Sequence, residues 1–246
     1  MKRIRWQILL GLGLMLLSAV LYFVHYLIFK DAHHIFLYLL GDIAFVPIEV
    51  LFVTLIIHQL LNTRDKRSRL EKLNMVIGAF FSEVGTKLLG YLSDFDPQLE
   101  NIRKDLLVST TWSVKEFLTL SKRLRHYDYR IDIHKVVLKD LQKFLVGKRD
   151  FLVRLLENPS LLEHETFTEL LRAVFHLTEE LESREDLRNL PPTDYAHLAG
   201  DTKRAYGLLV YEWLDYMKYL KYNYPYLFSL AIRTNPFDKA ASPIVR

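Results

Sequence analysis

The 246-residue chain contains no cysteine. That absence removes disulfides, thiolate nucleophiles and thiolate metal sites at once. Glycine is scarce as well: nine residues are scattered along the chain, and none falls in Gly-x-x-x-x-Gly-Lys-Ser/Thr or Gly-x-Gly-x-x-Gly. A phosphate-cradling loop is therefore missing, and with it the ATP-binding domain of a sensor kinase. Strict period-two alternation and internal repeats are also absent, so the expected fold class is all-α.

A net charge of +4 and a pI near 9.0 suggest a basic surface, but the charge is not spread evenly. Of 33 basic and 29 acidic side chains, nine and five lie before residue 73, which leaves 24 of each in the rest of the chain. The surplus sits in two places, at Lys2, Arg3 and Arg5 and in the run 62–72. Both flank apolar stretches, and that arrangement is a membrane signal.

Trp6–Phe29 is 24 residues without Asp, Glu, Lys or Arg. As a helix it reaches roughly 36 Å, enough for a tilted bilayer crossing. A cleaved signal peptide is the competing reading, but the apolar run continues well past the usual h-region, so an uncleaved anchor is expected. Phe36–Leu61 is a second stretch, interrupted by Gly41, Asp42, Pro47, Glu49 and His58. The intervening Lys30–Ile35 is too short for a folded sensor, or for a pore helix and carbonyl filter of the potassium-channel kind. Residues 1–63 are thus read as a transmembrane hairpin with helices at about 6–29 and 36–61. The positive-inside rule places both termini in the cytoplasm, in a two-pass protein of the cell membrane.

Residues 64–246 are expected to form a cytoplasmic bundle of about five helices, with a Pro-containing tail from about 225. Leu70, Leu73, Ile77, Phe80, Val84 and Leu88 recur at helical spacing, in a helix that continues from the second membrane stretch. Further helices are read at roughly 98–126, 132–157, 160–188 and 194–222, separated by Asn158-Pro159 and Pro191-Pro192. Ser160-Leu-Leu-Glu163 fits a capping box opening the fourth of these five helices.

Four groups of side chains carry candidate chemistry. Asp42 and Glu49 are seven residues apart and share a helix face, with Pro47 freeing a backbone carbonyl between them. Ionisable groups inside a bilayer are costly and mark cation or proton pathways, or else helix contacts that shield them. His33 and His34, beside Asp31, form a weak metal candidate at the outer surface. So does the cluster His126, Asp128, Asp132 and His134 at a helix–helix turn, although Asp132 also reads as a helix cap. Arg172 and His176 read as a surface pair, and Glu179, Glu180, Glu182 and Glu185 as a solvated acidic face. No Glu-x-x-His occurs on paired helices, which argues against a di-iron bundle.

Eight of the 14 tyrosines lie between 195 and 226 and, with Trp213, make the last long helix apolar on more than one face. Such a helix is buried in a core or lies in an interface. Tyr206, Trp213, Tyr216, Tyr219 and Phe237 are taken as interface candidates, with Phe237 anchoring the tail or serving a docking peptide. Nucleic acid is not an expected partner, because stacking aromatics need a positive surface and this region is neutral. The functional expectation is a non-enzymatic, homo-oligomeric membrane protein without a cofactor, whose partners are the lipid bilayer, copies of itself and a cytoplasmic protein. The alternative is an oligomeric cation channel or proton pathway lined by Asp42 and Glu49.

Overall fold

A computed structural model describes residues 2–159, 161 and 164–245, with the helical side chains of 2–5, 7 and 64–69 left out. Among the described residues the chain is helical and has no strand. It divides into two compact units, Met1–Lys66 and Arg67–Arg246.

The first unit holds α1 (Lys2–Phe29) and the opening part of α2 (Ala32–Phe80). The connection is only Lys30-Asp31. Lys30 adopts a left-handed φ of 50° and its amide donates to the Tyr26 carbonyl at 2.8 Å, ending α1. Asp31 Oδ1 accepts from the His34 amide at 3.1 Å and caps α2. His33 and His34 therefore lie in the first turn of α2 and not in a six-residue loop. Ile8–Phe29 and Ala32–Thr63 are each long and apolar enough to cross a membrane, and their large apolar side chains are exposed. A helix with no core of its own and apolar residues all round is suited to a hydrocarbon solvent.

The second unit buries a single core. Leu70–Ser93 also has the length and composition of a membrane span, but Leu73, Ile77, Phe80, Val84 and Leu88 are buried among other helices. It is a core element. α2 passes into a π-helical turn at Phe81–Gly85 and then into α3 (Thr86–Ser93). A Cβ at Gly85 would meet the Phe81 ring at 2.6 Å and the Phe80 ring at 2.8 Å, so glycine makes room for two aromatic rings set edge to face.

The expected helix at 98–126 is delivered as α4 (Glu100–Arg103), a 3-10 turn, and α5 (Val114–Arg125). A capping box opens α5, with the Ser113 amide donating to Glu116 Oε2 at 2.5 Å. The expected helix at 132–157 begins later and breaks at Gly147-Lys148, giving α6 (Leu138–Val146) and α7 (Arg149–Leu156). Asp132 caps neither of them. The capping box expected at Ser160–Glu163 lies outside the described residues. α8 (Glu165–Glu182), α9 (Pro192–Asn223) and α10 (Pro225–Arg233) complete the bundle. Pro192 and Pro225 occupy first-turn positions, where a missing N–H costs nothing.

The 32-residue α9 is the axis of this unit, packing against α3, α5, α8 and α10. That explains its apolar girth. Tyr206, Trp213 and Phe237 are buried in this chain's own core, which corrects their reading as interface residues. Tyr216 and Tyr219 are partly buried. The tail is fastened by specific bonds. Asn235 Nδ2 donates to the Leu106 carbonyl at 2.9 Å, and Arg103 Nη1 to the Phe237 carbonyl at 2.8 Å. The Phe237 ring stands edge-on to Trp213 with centroids 5.0 Å apart.

Candidate metal centre

α8 buries an apolar stripe of Phe167, Leu170, Leu171, Val174 and Leu177, and α9, buried on several sides, packs along it. This packing sets the polar residues along the shared edge of the two helices opposite one another. Three rungs follow in order: Arg184 against Asp194, Glu180 against His197, and His176 against Asp201. The rungs ascend α9 as they descend α8, so the two helices are antiparallel.

Two of the rungs make one cluster. His176 and Glu180 are four residues apart on α8, as are His197 and Asp201 on α9, and i,i+4 residues share a helix face. One ligand-type atom from each of the four lies within 4.8 Å of all the others. His176 Nε2 is 3.7 Å from Glu180 Oε1 and 3.5 Å from Asp201 Oδ2. His197 Nε2 is 3.4 Å from Glu180 Oε2 and 3.3 Å from Asp201 Oδ2. Four bonds of about 2.0–2.1 Å arranged tetrahedrally have edges of about 3.3–3.4 Å. The two imidazole–Asp201 separations are close to those edges, while the imidazoles meet different Glu180 oxygens and the four-atom set as a whole spans up to 4.8 Å, so closing a tetrahedron takes a small inward shift.

Two further observations bear on chemistry. Asp201 is only 6% exposed, and its Oδ2, placed between the two imidazoles, has no hydrogen-bond partner among the described residues. Its other oxygen, Oδ1, is 3.7 Å from Arg204 Nη1; a buried carboxylate with only such long contacts is costly, and a closely bound cation offsets that cost. Glu180, by contrast, is held from behind. Arg184 Nη1 donates to Glu180 Oε2 at 2.8 Å and also to its backbone carbonyl. The same guanidinium forks onto Asp194, at 2.8 Å through Nε and 2.6 Å through Nη2. The Arg184 hydrogen bond, with the two histidines adding to it, holds the Glu180 carboxyl below the usual glutamate range. Glu180 is thus anionic and oriented, as an outer partner should leave a metal-binding carboxylate. The imidazoles are about half exposed, which leaves an approach for an ion.

The sequence-derived sites fare differently. Asp42, Pro47 and Glu49 lie on α2, all exposed in the chain taken alone. His33 and His34 are adjacent on α2, and the His34 ring stacks towards His25 and is tilted against Tyr38. The cluster at 126–134 does not assemble. Asp128 is committed to Lys203 at 3.0 Å and Arg130 at 2.9 Å, and Asp132 to Lys135 at 3.0 Å. The His134 ring packs on Tyr195, and His126 Nδ1 meets the Lys122 carbonyl at 2.9 Å. His176 and Glu180, read as surface residues, are the ones that converge. The overlooked signal is a pair of His-x-x-x-acid repeats on consecutive helices, His176-x-x-x-Glu180 and His197-x-x-x-Asp201.

Two family models match the chain. Residues 2–61 match the "MJ1433, N-terminal helical domain" and residues 69–233 the "Uncharacterized protein MJ1433, C-terminal helical domain". The chain is 50% identical to "Uncharacterized protein MJ1433" of Methanocaldococcus jannaschii over 234 residues, covering 95% of this chain and 94% of that protein. No solved structure matches it significantly.

Proposed function

The chain belongs to the MJ1433 family, and we propose that it is a membrane-anchored, non-enzymatic protein whose bundle is clipped by one divalent transition-metal ion held by His176, Glu180, His197 and Asp201. The single observation that carries this reading is the buried Asp201 Oδ2, which faces two imidazole nitrogens at 3.5 and 3.3 Å without a hydrogen bond of good geometry. Mixed imidazole and carboxylate donors suit Zn²⁺ or a neighbouring first-row ion, and disfavour Ca²⁺ and Mg²⁺, which take oxygen. Four protein ligands fill a tetrahedral shell and leave no position for substrate, which is the pattern of a structural site. The ion joins α8 to α9 and so stiffens the central helix on which α3, α5 and α10 also pack.

In this reading α1 and the apolar part of α2 cross the cell membrane with both termini in the cytoplasm, and the clipped bundle offers its surface to a cytoplasmic protein. Asp42 and Glu49, exposed on α2 in a single chain, are shielded from lipid by a second copy. A cation pathway along that same face is the second reading, supported by the seven-residue spacing that sets both carboxylates on one side of α2.

The test is metal content. Full-length protein purified in detergent, stripped with chelator and reloaded, is expected to retain one equivalent of Zn²⁺ by native mass spectrometry and elemental analysis. Asp201→Asn is expected to lose it. Failure of the wild type to retain metal, or equal retention by Asp201→Asn, overturns the clip. Cation flux in liposomes that survives in the wild type and disappears with Glu49→Gln supports the second reading.

A further inference from the structure

A second stripe on α9 lies eleven residues beyond the metal cluster. Glu212, Asp215, Tyr216, Tyr219 and Tyr222 recur at three- and four-residue steps and so face one way. Asn74 and Ile77 of α2 and His164 at the start of α8 close around them, leaving a half-open cleft of about 280 Å³. At its wall Glu212 is 1% exposed, and its Oε1 has no hydrogen-bond partner among the described residues. Its hydrogen-bonding neighbour is the Thr166 hydroxyl.

Among the described residues no cation is paired with this carboxylate. Lys218, the basic residue lining the cleft, is 3.6 Å from Asp215. His164 uses Nδ1 to accept from the Phe167 amide at 3.2 Å, and burial pushes its pKa down, so it is neutral at neutral pH. A metal ion is a poor match, because among the described residues three or more ligating atoms converge only between α8 and α9. What the cleft does offer is one buried carboxylate, a second one at its edge, and three tyrosines, of which Tyr216 has one ring face covered by Phe81. Carboxylate plus aromatic faces is the recognition chemistry of an organic ammonium ion.

We propose that this cleft binds a small primary alkylammonium group, with Glu212 as its counter-ion and Tyr216, Tyr219 and Tyr222 as its aromatic wall. Burial, with Asp215 adding to it, pushes the Glu212 carboxyl up to about 7, so the empty site holds a proton that an ammonium ion displaces near neutral pH. The proposal is independent of the metal clip.

The experiment uses the full chain in detergent and amine-free phosphate buffer, titrated with n-butylamine and 1,4-diaminobutane and read by isothermal calorimetry. Saturable binding is expected, weakened at least tenfold by Glu212→Gln and retained in part by Glu212→Asp. Affinity is expected to be about tenfold lower at pH 6 than at pH 8, following ionisation of a group with a pKa near 7. A second arm places the chain in nanodiscs with and without ethanolamine headgroups. Stabilisation by those headgroups that Glu212→Gln abolishes assigns the ammonium to lipid, and binding of free amine assigns it to a soluble ligand. Absence of both, or binding that Glu212→Gln leaves unchanged, overturns the proposal. Zn²⁺ content, measured in parallel, is expected to be the same in wild type and Glu212→Gln, which keeps the two sites separately testable.

Discussion

Replacing Glu212 by Gln keeps the size and hydrogen-bonding capacity of the side chain and removes only its ability to ionise. In the folded chain the carboxyl is pushed up to about 7 from an ordinary value of 4.5, chiefly by burial. The unfolded chain therefore releases this proton from about pH 4.5 upward, while the folded chain holds it until about pH 7. Wild-type stability falls across that window and then levels off, since a folded pKa above the unfolded one favours the folded state only at low pH. A difference of some 2.5 pH units corresponds to roughly 3 kcal/mol at about 1.4 kcal/mol per unit. In a domain of this size 1 kcal/mol moves the melting point by about 2–4 °C. Glu212→Gln is accordingly expected to melt about 6–12 °C above the wild type at pH 8 and within about 2 °C of it at pH 4.5. Tryptophan fluorescence suits the measurement, because Trp112 and Trp213 both pack in the bundle, the first against Phe117 and the second against Phe237. The buffer must be free of amines, which the proposed site would bind. A variant less stable than wild type at pH 8, or a difference that does not change with pH, refutes the assignment of Glu212 as a buried, unpaired acid.

Two other perturbations follow from the geometry. Arg184→Ala removes the donor behind Glu180 without touching a ligand, and is expected to weaken Zn²⁺ affinity about 10–100-fold in a chelator competition, with stoichiometry intact; unchanged affinity would mean that Glu180 is not positioned by Arg184. Phe237→Ala empties a fully buried site against Trp213 and is expected to cost about 3–5 kcal/mol in denaturant unfolding, with a red shift of tryptophan emission. A loss below about 1 kcal/mol would show that the tail is not part of the core.

The parts of this fold that depend on near neighbours in sequence could be read from it. Apolar length identified α1 and α2, the helical recurrence from Leu70 to Leu88 foretold that α2 runs on past the apolar stretch, and Pro191-Pro192 marked the start of α9. The breaks that misled, at Gly147-Lys148 and between Leu106 and Ser113, lie inside stretches with good helical periodicity, where tertiary packing decides. The aromatic girth of α9 had two explanations, and only the neighbours on every side settled it in favour of a core. The metal cluster was illegible for a different reason. A His and an acid four residues apart are unremarkable on one helix, and Asp201 acquires meaning only when antiparallel packing sets His176 across from it. Glu212 likewise looks like any glutamate among tyrosines until its burial is known.

The fastening of Asn235 and Phe237 onto Leu106, Arg103 and Trp213 bears on how the protein is made. Translation delivers the two helices that are long and apolar enough to cross a membrane before the bundle that follows them. The bundle cannot finish its core until residue 237 has left the ribosome. At about 5–20 residues per second, the chain from 67 to 237 takes roughly 10–35 s to appear. The last 24 residues of that stretch, about 1–5 s of synthesis, separate Trp213 from Phe237, and the slot beside Trp213 is open until they have appeared.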